Sequence, residues 1–302
     1  MNQKTGQDVW MKLENLQKTG SFKVRGSYNK IASLTELECK RGIIAASAGN
    51  HAQGVALAGK KRNVPVTIFM PLSTPDSKVN ATKEYGAEVV LTGESFDEAY
   101  AEAMKRQSET GAVFIHPFED LKIIEGQATA ALEMLQQCPH LERIFVPAGG
   151  GGLLAGTALA VKAIKPSVKV IGVQSASAPA IAASFYGQHS LGVPFLPTIA
   201  EGIKVKSPGE LTLSIIRKYV DEMVTVTEAE IAEAILFMLE REKMLVEGAG
   251  AAGVAAILSG SLPYTSGETG VIVSGGNFDV SKLVQCQELV SQTKKPKSKL
   301  II

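Results

Sequence analysis

The chain has 302 residues, 45% hydrophobic and 20% charged, with 31 basic against 30 acidic residues and a net charge of +1. That is enough to bury one large core or two smaller ones, and it excludes low-complexity disorder and collagen. A balance so near neutrality provides no general field for nucleic acid or an anionic membrane. Cys39, Cys138 and Cys286 are too scattered for a disulfide framework or a zinc site, and they fit a reducing, cytoplasmic setting. The opening MNQKTGQDVW lacks the apolar segment of a signal peptide, and no apolar run approaches the roughly 18 residues of a membrane span.

Short β-rich runs alternate with helical periodicity. Strands are predicted at 43–47, 66–70, 88–91, 113–116, 143–146, 169–173, 223–226 and 270–274. Ser95-Phe-Asp-Glu98 predicts a capping box opening the helix that carries Tyr100 and Met104; Thr227-Glu-Ala-Glu230 predicts a second, opening a helix over 231–239. Continuous apolar strands such as IFV and VIGV imply burial on both faces, hence parallel sheets covered by helices: α/β, in two doubly wound units. Gly187 to Gly209 reads as a long surface loop or subunit contact, and Lys294, Lys295, Lys297 and Lys299 as a solvated tail.

The strongest chemical signal is Pro147-Ala-Gly149-Gly150-Gly151-Gly152-Leu153, between the strand RIFV and the helix LLAGTALAVKAIK. Successive glycine N–H groups can converge on one point, and the helix N-terminus adds positive potential, as a phosphate requires. A tight turn against the sheet explains four consecutive glycines less well, because of their entropy cost. The segment formally fits GxGxxA, but the next strand ends Val173-Gln174-Ser175 without the acid that binds a dinucleotide ribose. Gly54 to Lys61 has the glycine spacing of a P-loop, but Lys61 replaces the magnesium-binding hydroxyl and the segment reads as helix.

Ser47-Ala48-Gly49-Asn50-His51 is another strand-to-helix turn, able to hold a carboxylate or simply to cap a helix through Ser47 or Asn50; His51 alone reads more readily as a packed histidine. In Thr19-Gly-Ser-Phe-Lys23-Val-Arg-Gly26-Ser27 a lysine sits among glycines, serines and an aromatic ring, a setting that lowers its proton affinity and suits a Schiff base. Val271-Ile-Val-Ser274-Gly-Gly-Asn277 ends a buried strand in a hydroxyl and a glycine pair.

KLENLQKTGSFKVRGS (12–27), SAGNHAQG (47–54), PAGGGGLLAG (147–156), EGAGA (247–251) and VSGGN (273–277), in this order and spacing, resemble the fold type II pyridoxal-phosphate enzymes. Within them the chain is most similar to the threonine/serine dehydratase branch, of the short biodegradative type. The resemblance implies a tryptophan synthase β-like fold with the cofactor in the interdomain cleft: a large domain of 1–36 and 119–302, a small inserted domain of 37–118, and no C-terminal regulatory domain. It implies Lys23 as the lysine joined covalently to pyridoxal 5′-phosphate, with Phe22 beside it. Gly149, Gly150, Gly151, Gly152 and Leu153 would hold the phosphate, Asn50 the ring hydroxyl and Ser274 the pyridine nitrogen, with Glu247 near the ring. Lys23 and Ser47 would be the catalytic residues; Ser47, Ala48, Asn50 and His51 would line the substrate carboxylate site, and Phe118 would border the substrate.

The implied reaction is dehydration and deamination of L-threonine to 2-oxobutanoate and ammonia, with L-serine second. A homodimer or homotetramer is implied, acting on a small amino acid, without nucleic acid or membrane. A serine or 3-hydroxyaspartate dehydratase or racemase remains open within the family, where a methylene-sized pocket change is worth only about 1–3 kcal/mol. Outside it stand a nucleotide-binding oxidoreductase and a protein that binds without catalysing. Two positions depart informatively. Racemases of this branch carry a second serine where Ala48 stands, and metal-dependent relatives have carboxylates where Gln174 and Ala180 stand, so neither racemisation nor a divalent metal site is expected.

Overall fold

The structure is a computed structural model and describes residues 1–188 and 193–294; the predicted lysine tail at 295–299 lies outside them, as does the side chain of Lys294. The strands are β1 Val9–Leu13, β2 Ile43–Ala46, β3 Val66–Met70, β4 Glu88–Leu91, β5 Val113–Phe114, β6 Leu141–Pro147, β7 Lys169–Ser175, β8 Glu222–Val226 and β9 Glu268–Val273. They form two wholly parallel sheets, one ordered β1-β9-β6-β7-β8 and the other β4-β3-β2-β5. The helices are α1 Asn2–Thr5, α2 Lys23–Ala32, α3 Glu36–Arg41, α4 Asn50–Arg62, α5 Asp76–Glu84, α6 Phe96–Thr110, α7 Leu121–Gln137, α8 Gly152–Ile164, α9 Ala180–Phe185, α10 Glu210–Tyr219, α11 Glu228–Glu240, α12 Gly248–Leu258 and α13 Leu283–Lys294.

The large sheet is buried on both faces because alternate residues of its central strands feed opposite cores. Phe145, Val271 and Val273 pack with α11 and α12, whereas Ile144, Val146 and Ile272 pack with α7, α8 and α10. The small sheet buries Ile43, Ala45, Ile68 and Met70 against α2 and α4 on one side, and Ile44, Ala46 and Phe69 against α6 on the other.

All eight predicted strands are present, and the α/β two-sheet architecture is the expected one. The sequence reading omits β1, whose burial is uneven and whose partner β9 comes from the far end of the chain. Strand β5 stops at Phe114 because His116 turns back: its Nδ1 accepts from the N–H groups of Phe118 and Glu119 at 3.3 and 2.8 Å. Conversely β7 runs on through Gln174 and Ser175, polar residues buried by specific hydrogen bonds. The predicted box at Ser95 is half formed. Ser95 accepts from Glu98 N–H, but the Glu98 carboxylate turns to Glu94 N–H, where the chain has just bent at Gly93 (φ +69°). The box at Thr227 is complete.

Helix α2 joins the two units. Gly26 and Gly126 let it touch α7: a Cβ on Gly126 would lie 2.6 Å from the Arg25 carbonyl oxygen. Gly54 brings α4 against its first turn, where a Cβ would lie 3.1 Å from the Lys23 carbonyl carbon and oxygen. Lys23 is thus fixed between the carboxyl ends of both sheets, where ligands bind in open α/β folds.

Candidate active site

Lys23 is the first residue of α2, and the loop before it is stitched to the end of β9. Phe22 N–H donates to the Ser274 carbonyl at 3.0 Å, Ser21 pairs with Gly275, and Gly276 N–H donates to the Gly20 carbonyl at 2.8 Å. Behind the loop, Arg25 binds two carboxylates bidentately: Glu14 at 2.7 and 2.8 Å, and Glu133 at 2.7 Å through each pair. Glu14 and Arg25, both within the 12–27 segment, therefore pair with each other and fix the turn that aims Lys23.

The half-buried Lys23 donates to the Pro117 carbonyl at 2.9 Å and lies 5.3 Å from the Phe22 ring centre. Loss of water lowers its pKa to about 8, outweighing the opposing pull of Glu247. Close in sequence to this amine, Thr19, Ser21 and Ser27 carry buried hydroxyls that find no partner among the described residues, unusual in a folded interior.

Residues 116–119 also reach the glycine run. A Cβ on Gly150 would lie 2.1 Å from the Phe118 ring, so Lys23 and the glycine run touch successive residues of one loop. Gly151 has φ +93° and caps α8 with no side-chain hydrogen bond, leaving the first-turn N–H groups open. The loop is held from behind: Thr212 Oγ1 donates to the Gly150 carbonyl at 2.8 Å, and Gln174 Nε2 to the Ala148 carbonyl at 3.0 Å. Gln174 Oε1 accepts from Ala182 N–H at 2.8 Å, so its whole amide is engaged.

Ser47 Oγ accepts from Gly49 N–H at 3.2 Å, and α4 is capped by Gly49 without a side-chain bond, so neither Ser47 nor Asn50 is the cap. Ala48 packs at the margin of the small unit's apolar core. His51 lies beneath the turn, 4% exposed, its Nε2 2.8 Å from the Ile115 carbonyl. Burial, then the charge of Lys23, pulls its pKa down to about 3, so the ring is neutral. Asn50 Nδ2 donates to Glu247 Oε1 at 2.7 Å. Glu247, the residue before α12, is raised to about 7 by burial, against the lowering effect of the Asn50 hydrogen bond. Ser274 is 3% exposed.

Together these residues offer a poorly solvated amine and a bare helix N-terminus lined by glycines. That donor set fits an aldehyde-bearing phosphate: the amine can be neutral at moderate pH, and the N–H groups of residues 151–153 have no side-chain cap to displace. The family model for pyridoxal-phosphate dependent enzymes matches residues 1–275.

The chain belongs to that family.

It is 52% identical over 283 residues to an L-threonine ammonia-lyase of Thermotoga maritima, covering 94% of this chain and 70% of the relative. It is 43% identical over 280 residues to the catabolic L-threonine dehydratase TdcB of Escherichia coli, covering 92% and 85%. Among solved structures it resembles the processed form of threonine deaminase isoform 2 from Solanum lycopersicum, with a TM-score of 0.91, 37% identity and coverage of 95% and 84%. Membership in this family displaces the oxidoreductase reading, and Gln174, bound to Ala148 and Ala182, stands where that reading needed an acid.

The structure adds residues that the sequence did not single out: His116, Pro117 and Glu119 in the 116–119 loop, Thr212 behind the glycines, and Asn277 beside Asn50. The loop had one legible sign, Asp120 as helix cap with a histidine and proline just before it. Thr212 had none, because its contact joins segments remote in sequence.

Proposed function

We propose that this chain catalyses the dehydration and deamination of L-threonine to 2-oxobutanoate and ammonia, with L-serine, giving pyruvate, as a second substrate. The observation that carries the reading is the desolvated Lys23 amine beside the loop that also seats the bare N-terminus of α8. Supporting it are the relatives of 43–52% identity named for threonine.

Pyridoxal phosphate, when bound, supplies an electron sink that makes the substrate Cα–H acidic and lets the β-hydroxyl leave. In this proposal Lys23, neutral above about pH 8, is the nucleophile that holds the cofactor and, once released, the base over Cα. The N–H groups of Gly149, Gly150, Gly151, Gly152 and Leu153 would hold the phosphate, and Phe22 would pack beside the ring. Asn50 gives one N–H to Glu247 and keeps the other for the ring hydroxyl. Ser274 offers the ring nitrogen a hydroxyl rather than a carboxylate, which stabilises a pyridinium poorly and favours elimination, where charge departs with the leaving group. Ser47, Ala48 and Asn50 form the turn for the substrate carboxylate, with His51 fixed below them. Ala48 has no proton to deliver to the opposite face, so elimination is expected with little racemisation.

Division into domains of 1–36 with 119–302 and of 37–118 belongs to the proposal; the small sheet draws all its strands from residues 43–114. So does a cytoplasmic homodimer or homotetramer. Its support is the family resemblance and three free cysteines, and among the described residues no helix is long and apolar enough to cross a membrane.

The test measures 2-oxo acid release from threonine, serine and 3-hydroxyaspartate, D-serine formation, and borohydride labelling of Lys23. Threonine is expected to be preferred. K23A is expected to abolish labelling and to lower release by roughly 10²–10⁴-fold. Capture of cofactor by the apoprotein is expected to accelerate as pH rises through about 8, where Lys23 loses its proton. D-serine formed as fast as pyruvate, or labelling at another lysine, contradicts the reading.

A further inference from the structure

We infer that Asn277 is a positioning residue whose two amide hydrogens, given to the Thr19 carbonyl and to Asn50 Oδ1, fix which end of the Asn50 amide meets Glu247. The contacts are 2.8 Å and 2.7 Å, and Asn50 Nδ2 lies 2.7 Å from Glu247 Oε1. The direction of this relay is forced at its origin. A backbone carbonyl can only accept, so the Asn277 nitrogen must face Thr19. Its second hydrogen fills Asn50 Oδ1, and Asn50 must then turn its nitrogen to the carboxylate. Without that bias the two orientations of an amide differ little in shape.

Two glycines make room for the relay. Gly20 has φ +71°, and a Cβ there would lie 2.3 Å from Asn277 Oδ1; a Cβ on Gly275 would lie 2.4 Å from Glu247 Oε1. The relay thus joins the lysine loop, the small-sheet turn, the segment after β9 and the start of α12.

Glu247 reports the orientation. Burial raises it to about 7; the Asn50 hydrogen bond is the largest opposing influence, followed by Lys78, with Glu201 raising it and Lys23 lowering it. Asn277→Ala removes both hydrogens without adding charge, and Asn50 can then show Glu247 its oxygen. The Glu247 midpoint is expected to rise by about half a unit to one unit.

The inference rests on the proposed site only through the hydrogen that Asn50 keeps for the cofactor, so the decisive measurement uses the apoprotein. Carboxyl-carbon NMR follows Glu247 against pH, with Glu247→Gln assigning the signal, in wild type, N277A, N50A and N277A/N50A. An upward shift in N277A that disappears in the N50A background supports the inference. A midpoint unchanged in N277A, or a shift that persists without Asn50, overturns it, whatever happens to the melting temperature. Should N277A not fold, Asn277→Ser, which can donate only one hydrogen, carries the same comparison. Cofactor titration of the same proteins separates the two claims. A shifted Glu247 with unchanged cofactor affinity supports the relay while removing Asn50 from the cofactor.

Discussion

Away from the cleft, α3, α6 and α11 begin after Thr35, Ser95 and Thr227, each of whose side chains accepts an N–H of the first turn. At the cleft, α2, α4, α8 and α12 begin after Phe22, Gly49, Gly151 and Glu247, and none of these makes a side-chain cap. A cap contributes about 1 kcal/mol, so the bare ends at the cleft, like those of α1, α5 and α9, forgo stability that the capped ends take. The neighbours α8 and α10 sharpen the contrast. The first-turn N–H groups of α10 receive a carboxylate from afar, Leu211 donating to Glu119 Oε1 at 2.5 Å, whereas α8 stays open one residue contact away, across Thr212 and Gly150. Unsatisfied donors of this kind are where an anion gains most.

The hardest blow to the bare ends is Gly151→Ala. Its φ of +93° disfavours any side chain, and the new Cβ would lie 2.8 Å from Ile216 Cδ1 and 3.1 Å from Thr212 Cβ. Gly187 has φ +75° with nothing among the described residues within 4 Å, so Gly187→Ala bears the backbone strain, roughly 1–2 kcal/mol. Cofactor titration and thermal melting of both variants isolate the cradle. G151A is expected to lose at least tenfold in cofactor affinity, a shift of about 1.4 kcal/mol, and G187A to keep wild-type affinity.

Next comes the support behind Lys23. Removing Arg25 as Arg25→Met strands the Glu14 carboxylate, 1% exposed, and is expected to cost about 3–5 kcal/mol in urea unfolding. The pH dependence has a definite sign. Hydrogen bonding to Arg25 holds Glu133 down to about 2 against an ordinary 4.5. The stability this contributes is complete above the ordinary value and is lost as pH falls from about 4.5 toward 2. In R25M that acid-side loss from Glu133 should shrink, which unfolding at pH 7, 4 and 3 measures.

What the sequence disclosed follows the same division. Strands such as Ile43–Ala46 and Val66–Met70, and the box at Thr227, are legible because their cause is local: a run of mostly buried apolar residues or a hydroxyl three residues before a glutamate. The glycine run, Lys23 and the Ser47–His51 turn are legible as motifs, and resemblance supplied their expected roles. Long-range contacts stay hidden. Glu119 fills α10 over 92 residues and Asn277 reaches Asn50 over 227, and the partner of neither side chain can be read from its own segment. Pairing across such distances leaves no periodicity to read, and Val9–Leu13 escapes notice for the same reason.

The smallest effect exchanges the two kinds of helix start. Thr227→Ala removes a complete box, and a loss of about 1 kcal/mol with unchanged kinetics is expected because α11 opens away from the cleft. Gly49→Ser does the reverse. Nothing among the described residues lies within 4 Å of a Cβ at Gly49, so a serine there has room to cap α4. Serine exceeds glycine at a cap by only a few tenths of a kcal/mol, so the melting temperature should rise slightly. The new hydroxyl, however, would occupy the N–H groups proposed for the substrate carboxylate, and KM for threonine should rise while cofactor affinity stays constant. A G49S protein that is more stable and equally tight for threonine would mean that this helix start is bare for the backbone's sake and not for the substrate's.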